Sequence, residues 1–180
     1  MALLLVPRGL AAAGRVVQAP HIVCSPPGVG TDRVRLDRLA RMSARSLLGF
    51  EMFELSRMVD YLQTRAEVIP DRTGMYGISP SGKQPLSLAE EDKLNPRAAP
   101  LWPDHVLASL ICPRPFTVEA GRYDPVIDWR DIRAEFELVQ EIYRRLGLDE
   151  RAEITVADRG GHEMFYDGPI RFLDRWLGAA

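Results

Sequence analysis

Apolar positions along this chain recur with two distinct periods, and the two alternate. The clearest stripe is Ile132, Phe136, Val139, Tyr143 and Leu146, spaced four, three, four and three apart with charges on the other face. That spacing predicts an amphipathic helix, capped by Asp128 at its start and Gly147 at its end, with Glu141 and Arg145 paired on its exposed side. Met52, Leu55, Val59 and Leu62 predict a second helix within residues 50–65, its stripe packing on a sheet. A third helix, capped by Thr31, runs through about Met42 and is rich in arginine. A fourth opens at Pro169 and turns Ile170, Leu173 and Leu177 inward.

Between these stretches lie apolar runs too short for helices and bounded by turn formers. They fall at residues 3–6, 21–24, 116–120 and 153–157, with a further run ending at Gly77-Ile78. Strand and helix therefore alternate along most of the chain, which predicts an α/β fold with a mostly parallel sheet and helices on both faces. Residues 84–103 are polar and proline-rich, so they are expected to form a surface excursion.

Length and charge narrow the picture. A chain of 180 residues suits one domain over residues 1–180, because at that size roughly 70% of the unfolded surface is buried. A composition of 46% hydrophobic and 27% charged residues is that of an ordinary soluble protein. The net charge of -2 gives no general attraction to nucleic acid or to an anionic membrane, which leaves a small molecule as the expected partner. The arginines at 33, 35, 38, 41 and 45 are interleaved with Asp32 and Asp37 and lack aromatic companions, so they are expected to form a solvated helix face. The opening apolar run is cut by Pro7 and Arg8 and is too short for a signal peptide. Cys24 and Cys112 lie in separate apolar runs without zinc-type spacing, and are expected to be buried free thiols of a cytoplasmic protein. No metal or cofactor is expected.

The candidate chemistry lies where strands end. Gly77-Ile-Ser79-Pro-Ser-Gly82 packs turn formers around a small hydroxyl residue, as a nucleophile elbow requires. In a parallel sheet, loops leaving the carboxyl ends of the strands gather on one edge. Three such loops offer Ser79, Asp124 and His162, in the order serine, acid, histidine. Their chemistry is complementary: histidine takes the serine proton while the acid fixes the imidazole tautomer and stabilises its cationic form. Ser25-Pro-Pro-Gly-Val-Gly30 is a rigid loop whose amides can face a ligand.

Leu47-Leu-Gly-Phe-Glu-Met-Phe-Glu-Leu followed by Pro70-Asp-Arg-Thr-Gly-Met-Tyr-Gly-Ile-Ser79 resembles the helix and nucleophile strand of α/β-hydrolases, specifically the dienelactone-hydrolase and acetyl-xylan-esterase-like group. The stretch from Ile111 to Asp124-Pro125, and Gly160-Gly-His162, resemble the acid and histidine segments of the same group, over about residues 20 to 178. The resemblance implies a serine esterase acting on small carboxylic esters, with Ser79 as nucleophile, Asp124 as acid, His162 as base and no cofactor. Pro27-Gly28-Val29-Gly30 resembles the oxyanion loop of that fold, with Pro27 where histidine is usual.

Three departures from that pattern carry consequences. Pro80 follows the nucleophile and has no amide to donate to the oxyanion. Loss of one such donor lowers a rate on the order of a hundred- to a thousandfold. Ser81 replaces the glycine that lets the elbow helix lie close to its neighbours. The chain is also short for the family, which implies a reduced three-layer fold with a sheet of about four to six strands. Open sheet borders would favour pairing of two copies.

Two further readings come from other classes. A module of this fold that has lost turnover would keep the same residues. Gly77 to Lys83 also satisfies the spacing of a phosphate-cradling loop, with Asp158 as its metal-holding acid, although Gln84 stands where magnesium binding needs serine or threonine.

Overall fold

The computed structural model describes residues 5–20, 32–78, 102–165 and 167–178. These fall into two compact units, one holding the described residues through Thr73 and the other those from Gly74 onward.

The first unit is helical: α1 (Leu5–Ala12), α2 (Arg33–Met42) and α3 (Leu47–Gln63). The strand expected at residues 3–6 is not present in its described part, since Leu5 and Val6 open α1. Beyond Pro7, Arg8 and Gly9 the helix carries Leu10, Ala11 and Ala12, which favour helix. Pro7 falls in the first turn, where its missing N–H has no helical partner to lose. Helix α2 starts one residue later than expected, because Asp32 rather than Thr31 caps it by accepting the Val34 N–H.

The arginine-rich face of α2 is partly neutralised by pairing. Arg41 meets the buried Asp37 at 2.7 Å, and Arg33 meets Glu51 of α3 at 2.6 Å. Helix α3 begins at Leu47, capped by Ser46, three residues ahead of the expected start. Its half-buried stripe is Glu51, Leu55, Met58 and Leu62, whereas Met52 and Val59, expected to face inward, are exposed. Glu51, on that half-buried side, is the residue that pairs with Arg33 of α2.

The second unit contains the sheet. Its elements are α4 (Asp104–Ser109), β1 (Phe116–Gly121), α5 (Trp129–Arg145), β2 (Ala152–Ala157) and α6 (Asp167–Leu177). Strands β1 and β2 are parallel neighbours in a register that runs from Phe116 opposite Ala152 to Gly121 opposite Ala157. Among the described residues the sheet has these two strands, and the larger sheet expected from the sequence is not seen. Residues 21–24 lie outside the described residues. Residues 72–78, expected to lead into the elbow as a strand, form no ladder. This segment is held by side chains instead, with Gly74 against Leu173 and Leu177 of α6 and Tyr76 hydrogen-bonded to the Phe165 carbonyl.

Helix α5 forms as its stripe dictates. Asp128 accepts the Arg130 N–H at 2.8 Å, and Phe136, Val139 and Tyr143 are buried. They form one core with Ala152, around which Phe116, Val118, Ile154 and Leu148 pack. Leu146 is exposed because the helix ends at Arg145, and Leu148 reaches the core in its place. The Tyr143 hydroxyl donates to the Arg114 carbonyl at 2.6 Å, and burial pushes its pKa up to about 12, so it remains a neutral donor. In α6 the residues most buried are Pro169 and Phe172, while Ile170, Leu173 and Leu177 are only half-buried.

Alternate residues of β1 serve different helices, as strand geometry requires. Phe116 and Val118 join the α5 core, whereas Glu119 lies against Gly168 of α6. Residues 104–109, which carry no clear apolar period, form the short helix α4 against α5. Cys112 is a free, half-buried thiol, and Cys24 lies outside the described residues. No helix among the described residues is long and apolar enough to cross a membrane.

Candidate active site

Because β1 and β2 run parallel and in register, Gly121 and Ala157 end side by side and release their loops at the same edge. The loops are then laced together by backbone. Arg122 N–H donates to the Ala157 carbonyl at 3.0 Å, and Tyr123 N–H to the Gly160 carbonyl at 2.8 Å. The approach is so close that a Cβ on Gly121 would collide with the Gly160 and Gly161 carbonyl oxygens. Glycine at this position is therefore a steric requirement of the site.

This lacing brings Asp124 and His162 together. His162 Nδ1 lies 2.8 Å from Asp124 Oδ2. The other carboxylate oxygen, Oδ1, accepts the Val126 N–H at 2.7 Å and the Ile127 N–H at 3.3 Å. Asp124 thus makes the turn usual for aspartate before proline with one oxygen and orients the imidazole with the other. Its side chain is 10% exposed and that of His162 is 27% exposed, so the pair is sheltered yet reachable.

Burial is the largest single influence on Asp124 and pushes its pKa up. The hydrogen bond to His162, the Val126 amide, the charge of His162 and the Ile127 amide together outweigh it, leaving the carboxyl below its ordinary range. An ionised Asp124 is an acceptor only, so Nδ1 carries the shared proton and Nε2 is the basic nitrogen of the neutral ring.

Beside the pair is an open depression of about 270 Å³ bordered by Asp124, Pro125, Ile127 and Trp129. The Trp129 ring is surrounded by the guanidinium groups of Arg122, Arg130 and Arg133 at 4.8, 4.9 and 5.3 Å. Two of these cations are paired, Arg122 with Asp158 at 2.9 Å and Arg130 with Asp128 at 3.3 Å. Asp158, the acid a phosphate-binding reading would assign to a metal, is thus engaged with Arg122 at the surface.

Two of the three residues expected to form a catalytic triad are therefore in contact. Ser79, and the oxyanion candidates Gly28, Val29 and Pro80, lie outside the described residues. The described segment from Gly74 to Ile78, immediately before Ser79 in the sequence, belongs to the same compact unit as the Asp124–His162 pair. Among the described residues no three His, Cys, Asp or Glu side chains gather in a way that would hold a metal ion.

Sequence reasoning missed the Val126 and Ile127 amides, although Asp-Pro followed by apolar residues is the signal for such a turn. It also missed Glu119 and Tyr76, which meet between β1 and the segment before Ser79. No family model, curated protein or solved structure matches the chain.

Proposed function

We propose that this protein is a serine hydrolase that cleaves small carboxylic esters through Ser79, His162 and Asp124. The observation that carries the reading is the 2.8 Å hydrogen bond between His162 Nδ1 and Asp124 Oδ2, built on loops that leave two parallel strands at one edge. That is the orienting half of a serine-histidine-acid triad. The reading takes the fold to be a reduced α/β-hydrolase in which the described strands are part of a larger parallel sheet.

In this mechanism Ser79 Oγ attacks the ester carbonyl carbon as His162 Nε2 removes its proton. The imidazolium, stabilised by Asp124, then protonates the departing alkoxide, which leaves an acyl group on Ser79. Water activated by the same nitrogen attacks the acyl carbonyl, and its proton passes through His162 back to Ser79. The tetrahedral oxyanions are served by the amides of Gly28 and Val29. Pro80 contributes none, so the proposed enzyme works with a weakened oxyanion hole.

Short-chain aryl acetates test the reading. The protein is expected to hydrolyse them, and Ser79→Ala to abolish the enzymatic rate. Equal rates from both proteins would overturn the proposal, and absence of turnover in both would favour a module that keeps the fold without the activity. The role given to Pro80 has its own test. Pro80→Gln restores an amide and is expected to raise the rate, by up to about a hundredfold. No increase would contradict the account of the oxyanion site.

A further inference from the structure

The loop that carries His162 reads Asp158-Arg-Gly-Gly-His162, and its two glycines have more backbone freedom than other residues would. A base that stays 2.8 Å from Asp124 needs that freedom removed. Gly160 is gripped through its carbonyl, which accepts the Tyr123 N–H at 2.8 Å. Asp158 is gripped by a side chain: Arg122 donates to its Oδ1 from Nε at 3.1 Å and from Nη2 at 2.9 Å.

Arg122 makes two further attachments. Its own N–H donates to the Ala157 carbonyl at 3.0 Å, and its guanidinium lies over the ring of Trp129, the first residue of α5, 4.8 Å from the centroid. One residue thus joins the end of β2, the loop after it and the start of α5, and it stands two positions before Asp124.

We propose that Arg122 is a positioning residue. Anchored on Asp158 and Trp129, it braces the two loops so that Asp124 and His162 stay in contact.

The side chains of Arg122 and Asp158 are 42% and 81% exposed, so the ion pair is weak by itself. Its leverage comes from placement. The grips on Asp158 and Gly160 lie two residues apart, which leaves Gly161 as the single residue between the held backbone and His162. Stacking on Trp129 also holds the planar guanidinium flat, so less side-chain freedom is lost when it meets Asp158. Arg130 and Arg133 lie over the same ring, and repulsion among the three cations is offset because Asp158 partners Arg122 and Asp128 partners Arg130.

The inference rests on the hydrolase reading for its purpose, but its test does not require turnover. Exchange of the His162 Nδ1 proton with water is followed by NMR on the full chain; it requires the pair to part, so its rate reports how often the loop lets go. Arg122→Gln removes both anchors and is expected to speed exchange roughly three- to thirtyfold, whereas Asp158→Asn removes the ion pair alone and is expected to speed it up to about fivefold. The double variant is expected to match Arg122→Gln, and Arg122→Lys, which keeps a cation for Asp158, to recover part of the loss. Arg57→Gln, which loses an ion pair to Asp60 and a contact with the Phe53 ring on α3, is expected to leave exchange unchanged. Raising salt from about 0.1 to 1 M, which shortens screening from about 10 to 3 Å, is expected to speed exchange in the unmodified protein and not in Arg122→Gln.

Exchange in Arg122→Gln at the unmodified rate would overturn the proposal. So would single-variant effects that multiply in the double variant, an equal response of both proteins to salt, or an Nδ1 proton that exchanges too fast to detect in the unmodified protein. Turnover unaffected by Ser79→Ala, with the exchange pattern intact, would sink the hydrolase reading alone; genuine turnover with exchange indifferent to Arg122 would sink the brace alone.

Discussion

Asp124 divides its two oxygens between two tasks, and the division makes a sharp prediction. Asparagine in its place keeps an oxygen for the Val126 and Ile127 amides but presents an NH₂ group to His162 Nδ1. The imidazole is then driven to the tautomer protonated on Nε2, which cannot take a proton from serine. Asp124→Asn is expected to lower ester hydrolysis on the order of 10⁴-fold, the loss seen for the same change in another serine hydrolase, while its thermal unfolding stays close to that of the unmodified protein. Unchanged kinetics would contradict the assigned role.

Asp124 and His162 were legible in the sequence because each stands in a short turn after an apolar run. Glu119 was not, because an acid inside a strand pattern looks like an outward-facing residue until the helix covering it is known. Tyr76 was equally silent, since Glu119 and Phe165, which its hydroxyl meets, lie 43 and 89 residues away.

At the level of elements, the crossover from β1 through α5 to β2 is what brings the pair together. Its stripe was readable since Phe136, Val139 and Tyr143 all face the same sheet. The Tyr143 hydroxyl also closes the core by bonding to the Arg114 carbonyl. Tyr143→Phe leaves that carbonyl without its buried donor and is expected to cost about 1–2 kcal/mol in denaturant unfolding. No loss would show that water replaces the bond.

Gly121→Ala belongs to this scale as well, because its Cβ has backbone on the opposite side and nothing flexible to displace. It is expected to spread the two loops and break the Asp124–His162 contact, read as loss of the imidazole Nδ1 proton resonance. Persistence of that resonance would contradict the steric account.

Elements that apolar period alone cannot assign are those the sequence misplaced. Residues 3–6 had a strand's length, but Leu5 and Val6 open a helix that runs to Ala12. The segment before Ser79 looked like a strand, yet its contacts run through side chains. The half-buried stripe of α3 includes Glu51, paired with Arg33, a charged position that no apolar spacing marks.

Across the whole molecule the two shifted carboxyls act in opposite directions on stability. Asp124 is held below its ordinary range, so its contribution is present above the unfolded value and is lost as pH falls through the lowered folded value. Glu119 is held above its ordinary value of 4.5, so its contribution is complete below that value and is lost as pH rises through about 7. Thermal unfolding followed against pH is thus expected to show a decline on the alkaline side that Glu119→Gln removes. A decline of equal size in both proteins would assign it to other groups. The alternation of strand and helix identified an α/β chain correctly, while the extent of the sheet depends on pairings that local pattern does not specify.

The central claim is that the Asp124–His162 pair activates Ser79, and covalent labelling tests it most directly. A fluorophosphonate probe followed by peptide mapping is predicted to place a single adduct on Ser79, with the labelling rate falling sharply in His162→Ala. No adduct, or an adduct on another residue that His162→Ala leaves unchanged, would contradict it.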